Sequence, residues 1–258
     1  MNIRKFKRGD YLSKSYGNAE QFVQIYNQID EFMKNKLGQD TSGGSYSTRI
    51  RILAKQDACF KKYQDILISY GELRNAIVHD YGRDEYRIIA EPYIEEVQRY
   101  QMVKEQLMKP PLAYDEIAIK VDGLYSLSPE DKIAEAVSVM DRRNFNFAPI
   151  LYQGKVMGVF SPETIFSYLA DHGEIKNTDK MMMKEIKNYT NISSKKLEGF
   201  LFLPQDTTVA HVEALFSEQR PQTQRLEVIF ITKNGKEDEA LLGMVTIWDL
   251  AKAKNQKI

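Results

Sequence analysis

The stretch ALLGMVTIWDLAKA, residues 240–253, decides the fold of half of this chain. A short apolar run ends at a glycine, and Met244 and Val245 continue it. A hydroxyl residue, Thr246, then opens a segment with helical spacing through Trp248, Leu250 and Ala251. That is a strand running directly into a helix. The same pattern occurs earlier as KVMGVFSPETIFSYLA, residues 155–170. Upstream, LSPEDKIAEAVSVM (127–140) lines up with LPQDTTVAHVEALF (203–216). The offset is 76 residues early in the repeat and 85 late, and the nine extra residues fit a longer strand connection around TKNGKEDEA. Two copies of one unit therefore predict a duplicated domain.

Each copy reads strand, helix, strand, strand, helix. FNFAPILY, KVMGVFS, LEVIFIT and EALLGMVT are the strand candidates, with turn signals in QGK and KNGKEDEA. Strands alternating with helices give an α/β domain. Before residue 109 the period is helical. An amphipathic helix is predicted over residues 19–37, another over 49–70 and a short one over 73–79. A long one follows over 84–107, with a kink or a new first turn at Pro92. No strand is expected there, and Gly71 marks a break. The two prolines of MKPPLAYDE stop the last helix and mark the boundary. The expected organisation is a helical domain at 1–108, a linker at 109–113 and a first repeat at 114–173. A connecting segment at 174–199 and a second repeat at 200–258 complete it, for a fold class of α + α/β.

The signature glycine, apolar pair, hydroxyl residue, two variable residues, aspartate stands here as G-M-V-T-I-W-D, Gly243 to Asp249. Over about residues 114–255 the repeat resembles a tandem pair of CBS (cystathionine β-synthase) domains, a Bateman module of two β-α-β-β-α repeats. The resemblance implies clefts that take adenosine-containing ligands such as AMP, ADP, ATP, S-adenosylmethionine or a cyclic dinucleotide. It places the phosphate role on Thr246 and the ribose role on Asp249. The chemistry fits those places. A phosphate can meet a hydroxyl and the free N–H groups of a helix N-terminus, and a carboxylate can accept both ribose hydroxyls. The first copy, G-V-F-S-P-E-T, keeps Ser161 as a nucleotide-binding candidate but carries Thr164 where aspartate is expected. A plainer role stays open, in which Thr246 caps the last helix and Asp249 sits near its positive end. Gly158 and Gly243 read as turn or packing glycines.

A second motif lies in ELRNAIVHDYG, residues 72–82. Arg74, Asn75, His79 and Tyr81 stand at the spacing arginine, polar residue, three residues, histidine, one residue, tyrosine. In a helical domain this resembles the HEPN (higher eukaryotes and prokaryotes nucleotide-binding) superfamily, whose active members are metal-independent ribonucleases that work as homodimers. The resemblance implies His79 as general base or acid toward the ribose 2′-hydroxyl, Arg74 as the cation on the phosphorane-like transition state, and RNA as substrate. On the predicted helix Asn75 and His79 share a face, and Arg74 lies about 140° around from His79. A structural role for the same four residues stays open, with Arg74 paired nearby and His79 and Tyr81 at a helix end.

Bulk properties bound the partners. The 36 basic and 36 acidic residues cancel, so no global field draws the molecule to nucleic acid or membrane. The charge is uneven, with 18 basic and 15 acidic residues through Lys109, a net of +3 that is offset by −3 in the remainder. The arm MNIRKFKR is basic and reads as a solvated terminus. Cys59 is the single cysteine, in an apolar-patterned run, and reads as a buried thiol in a reducing compartment. His172 and His211 have no metal-ligand partners at useful spacing, so no metal or required cofactor is implied. Met181, Met182 and Met183 read as packing residues. With no apolar run long enough to span a bilayer, a cytoplasmic protein is expected. The leading functional expectation is a sensor of an adenosine-containing nucleotide whose helical domain dimerises or docks a partner. The alternative is a nucleotide-regulated ribonuclease using Arg74 and His79.

Overall fold

The computed structural model describes residues 17–38, 44–80, 86–175, 179–218 and 225–255. The chain forms two compact units, Met1–Pro110 and Pro111–Ile258.

In the first unit, α1 (Gly17–Leu37) buries Phe22, Ile25, Ile29 and Met33, one per turn. Its first free N–H groups are met by the Glu91 carboxylate, which accepts from Asn18 N at 2.9 Å and Ala19 N at 3.4 Å. The helix predicted at 49–70 is two helices, α2 (Tyr46–Ala54) and α3 (Ala58–Ile77). Asp57 separates them by capping α3, accepting from Cys59 N at 2.8 Å and Phe60 N at 3.3 Å. Gly71 does not break α3. A Cβ there would lie 2.9 Å from the Tyr46 ring, so the glycine admits that ring against the helix. Tyrosines crowd the core. Phe22 packs edge-on to Tyr70, with ring centres 5.4 Å apart, and Tyr46 and Tyr100 share a hydrogen bond of 2.8 Å between their hydroxyls.

This unit also carries a small hairpin that the helical spacing hid. The backbone of α3 stops at Ile77, and Val78 turns extended (φ −113°, ψ 113°). Strands β1 (Val78–Asp80) and β2 (Tyr86–Ile88) then pair antiparallel, with Val78 opposite Ile88 and His79 opposite Arg87. The short helix expected over 73–79 is thus the last turn of α3 followed by a strand. The long helix expected over 84–107 is β2 and then α4 (Ile94–Met108). Pairing of Val78 with Ile88 holds the strand, and Pro92 cannot donate to a helical ladder, so α4 begins beyond it.

The second unit opens with α5 (Ala113–Glu116) and β3 (Ile119–Lys120). The first copy follows as α6 (Ile133–Arg143), β4 (Ala148–Tyr152), β5 (Lys155–Phe160) and α7 (Pro162–His172). Gln153 and Gly154, both with positive φ, make the tight β4–β5 turn. Then come α8 (Lys187–Thr190), β6 (Glu198–Pro204), α9 (Val209–Ser217), β7 (Arg225–Thr232), β8 (Leu241–Thr246) and α10 (Ile247–Asn255). The main sheet has the order β3-β8-β7-β6, with β6 and β7 parallel and the other pairs antiparallel. In the first copy β4 pairs with β5, and Leu127 bridges in parallel to Ile150.

Each copy is completed by the segment that precedes the other. Ala113 N donates to Thr207 O at 2.8 Å, Val209 N donates to Pro111 O at 2.9 Å, and β3 pairs with β8. Symmetrically, Ile133 N donates to Met181 O and Met183 N to Asp131 O, both at 3.0 Å. Within the segment predicted as a connector at 174–199, Met183 and Ile186 are core residues of the first copy. The glycines at equivalent places admit these crossings. A Cβ on Gly158 would meet Thr190 O at 2.5 Å, and one on Gly243 would meet Ile119 O at 2.9 Å.

Candidate ligand clefts of the second unit

The two strand-to-helix junctions, β8 into α10 and β5 into α7, carry the candidate chemistry. At the first, Thr246 ends β8 and stands at the N-terminus of α10, with Asp249 in its first turn. Asp249 is 8% exposed. Its Oδ2 accepts from Thr246 N at 2.8 Å and from Thr246 Oγ1 at 2.7 Å. A carboxylate three residues into a helix thus reaches back to satisfy an N–H that the helix cannot. Among the described residues these bonds both fall on Oδ2. Trp248, between the two, is 67% exposed.

The first copy has the same backbone and different contents. Ser161 caps α7 and Thr164 returns the contact, with Ser161 N donating to Thr164 Oγ1 at 3.1 Å. Both side chains are buried. The Lys195 ammonium, 3% exposed, donates to Ser161 Oγ and to Thr164 Oγ1, each at 2.7 Å, and lies 3.4 Å from Glu198 Oε2. Ser161 Oγ in turn donates to Glu198 Oε2 at 2.6 Å. Glu163, the second residue of α7, holds the incoming chain. Its Oε1 accepts from Lys196 N at 2.7 Å and Leu197 N at 3.3 Å, and its Oε2 accepts from Glu198 N at 3.2 Å. Burial lowers the Lys195 pKa below the usual lysine value, against the opposing pull of Glu198 and Glu163. Glu227 is pushed up by burial and by Glu198, although Arg225 acts the other way. A cluster of charge therefore surrounds the Ser161 hydroxyl, and Ser161 also lines a cavity of about 280 Å³ with Asn144, Phe145, Asn146, Phe160 and Pro162.

Sequence reasoning found Thr246, Asp249 and Ser161 but missed Lys195, Glu198 and Glu163. The signal was in the repeat. At the offset of 76, KKLEG (195–199) lies opposite IKVDG (119–123), which sets Lys195 against Ile119 and Glu198 against Asp122.

In the helical unit, Arg74 lies in the last turn of α3, with its guanidinium 5.4 Å from the centre of the Tyr26 ring and Nη1 3.4 Å from Asn75 Oδ1. His79 is on β1 rather than on the helix, so the shared helical face expected for Asn75 and His79 does not form. The side chain of His79 and the whole of Tyr81 lie outside the described residues. Arg74 lines an open groove of about 550 Å³ together with Glu20, Asn27, Glu31, Val78 and Ile88. Cys59 is buried, as its apolar setting predicts. Among the described residues no cluster of potential metal ligands occurs, and no helix is long and apolar enough to cross a membrane.

No curated protein matches the chain. Among solved structures it is similar to a CBS domain protein from Streptococcus pneumoniae, at 12% identity and a TM-score of 0.44, covering 62% of this chain and 91% of that one. It is also similar to CbpB in complex with c-di-AMP, at 13% identity and a TM-score of 0.42, covering 62% and 93%. A third is CBSX2 in complex with AMP, at 14% identity and a TM-score of 0.41, covering 57% and 98%. The sequence pattern of the CBS domain matches residues 103–171 and 192–255, more than half of the chain. With two copies of the β-α-β-β-α unit, each completed by the segment before the other, the chain belongs to the CBS domain family.

Proposed function

We propose that the CBS pair binds an adenosine-containing nucleotide as a regulatory ligand in the cleft of its second copy. The observation that carries this reading is the Thr246–Asp249 pair, a buried carboxylate one helical turn from a strand-end hydroxyl. Binding is an exchange of partners. The Thr246 hydroxyl, which now donates to Asp249, turns to the phosphate. Free N–H groups in the first turn of α10 add to it. The Asp249 carboxylate takes the two ribose hydroxyls in return, as charge-assisted hydrogen bonds. Titration calorimetry with AMP, ADP, ATP, S-adenosylmethionine and a cyclic dinucleotide tests the reading. Saturable heat that Asp249→Ala abolishes supports it, and no heat from any of the five refutes it.

In this reading the helical unit dimerises or docks a partner. Its groove and the exposed Ile89, Tyr93, Ile94 and Met102 offer surface for that. The ribonuclease alternative gains less support. The Arg74 guanidinium lies over the Tyr26 ring, and the groove beside it carries Glu20 and Glu31, which oppose a polyanion.

A further inference from the structure

The groove of about 550 Å³ on the helical unit carries a charge pattern that the nucleotide reading does not use. Glu20 and Glu31 are the first and last residues that α1 gives to it. They stand eleven residues apart. That is three helical turns, so the two carboxylates share one face of α1, about 16 Å apart. Val23, Val78 and Ile88 make the apolar part of the groove. Both glutamates are exposed, and among the described residues neither has an ion-pair partner, whereas neighbouring Asp30 is held by Lys34 and Arg49. Arg74 is the one cation among the described lining residues, and it offsets one of the two carboxylates.

The complement stands at the start of the sequence. RKFKR, residues 4–8, sets two cations on each side of Phe6. In extended form Arg4 and Arg8 lie about 13 Å apart at Cα, and their long side chains make up the rest of the span. Residues 9–16 separate this run from Gly17 at the start of α1. A segment of that length reaches at most about 26–29 Å, and Glu20 is only about 4.5 Å along the helix from Gly17. The chain therefore has the length to double back along α1, with Arg8 toward Glu20 and Arg4 toward Glu31. So short a tether gives an effective concentration of roughly millimolar order. Exposed ion pairs that are weak singly then suffice when Phe6 adds apolar area.

From this we infer that residues 4–8 dock in the groove of their own chain, with Phe6 on Val23, Val78 and Ile88 and the flanking cations on Glu20 and Glu31. Docked there, the arm covers Arg74 and competes with any partner for this face. The contact is independent of the nucleotide reading of the second unit.

Zero-length cross-linking of the full chain with a carbodiimide tests it, on an equal mixture of unlabelled and isotopically labelled protein. Peptide mass spectrometry is expected to find Lys5 or Lys7 joined to Glu20 or Glu31 within one isotopic form. The Lys36–Asp57 pair, 2.7 Å apart, is the internal standard. Phe6→Ala, which keeps every charge, is expected to lower the yield of the arm's link at least about threefold against that standard. The proposal is overturned if the standard forms and neither glutamate is joined to the arm. Links found only between the two isotopic forms overturn it too, because they seat the arm on a second copy. An unchanged yield in Phe6→Ala also overturns the docking, since a diffuse attraction of charges alone would give that result.

Discussion

Asp249 has two jobs in this reading, and two substitutions separate them. Its Oδ2 accepts from Thr246 N and Thr246 Oγ1, so it ties the start of α10 to the end of β8. Asp249→Ala removes that acceptor and the negative charge near the positive end of the helix. Loss of a cap costs about 1 kcal/mol, and loss of the charge costs about 0.3–1 kcal/mol more. For a unit of this size that lowers the melting temperature by roughly 2–8 °C. Asp249→Asn keeps a carbonyl oxygen for Thr246 N and loses only the charge, so the fall is about 1–4 °C. Ligand binding ranks the variants differently. A ribose diol donates two hydrogen bonds, and a carboxamide offers one acceptor and an amide group that opposes the second. Hydrogen bonds to a charged group are worth about 1.5–3 kcal/mol, so both variants should weaken nucleotide binding by about 10- to 150-fold. Circular-dichroism melting gives the first comparison and titration calorimetry the second. If Asp249→Asn binds within about threefold of the wild type, where about 10- to 150-fold is expected, while Asp249→Ala melts early, the carboxylate is only a cap.

Other expectations follow from the packing. Burial holds the Tyr46 and Tyr100 hydroxyls neutral well above pH 10, and their mutual bond binds the pair. A raised folded pKa means their contribution is whole below pH 10, where the unfolded hydroxyl titrates, and is lost as pH climbs beyond it. At pH 11 the pair should cost up to about 3 kcal/mol of unfolding free energy, absent in Tyr46→Phe/Tyr100→Phe, by urea unfolding at pH 8 and 11. Gly158→Ala places a Cβ 2.5 Å from Thr190 O and should cost about 1–3 kcal/mol in thermal melting of the second unit. An unchanged melt would mean that the 181–190 segment yields freely. Incubation of the chain with single-stranded RNA in EDTA should give no cleavage that depends on His79. Cleavage by the wild type that His79→Ala lacks would reinstate the ribonuclease reading.

The repeat was legible because its signal is local. A glycine, an apolar pair and a hydroxyl residue followed by helical spacing mark a strand-to-helix junction whatever surrounds it, so β8–α10 and β5–α7 fall where the pattern puts them. What the sequence hid depends on distant contacts. Residues 73–79 keep helical spacing, yet Val78 pairs with Ile88 across a hairpin, and the pairing rather than local propensity ends α3. Gly71 looks like a breaker but is a space left for Tyr46. The run SSKKLEG falls in the segment expected to connect the two copies, and two adjacent lysines are ordinarily exposed. One of them is buried only because Glu163, more than thirty residues earlier, pulls the backbone of the next three residues onto α7.

That difference between the clefts bounds what the pair can do as a switch. A ligand shifts a conformational equilibrium only by the difference in its affinity for the two states. The bonds of Lys195 to Ser161 and Thr164 are internal, so they contribute nothing that varies with ligand concentration while the Glu163 clamp holds. In the nucleotide reading of the second cleft, a ligand-dependent difference arises where bonds are exchanged on binding, at Thr246 and Asp249. Those two residues join β8 to α10, so the exchange acts on the seating of that one helix. Coupling of this kind is typically about 1–3 kcal/mol, or roughly 5- to 150-fold in the affinity of a second partner. A pair with both clefts free could add two such contributions. Beside Ser161 a cavity of about 280 Å³ is open, so a ligand seated there would act on the start of α7 as one at Thr246 acts on the start of α10.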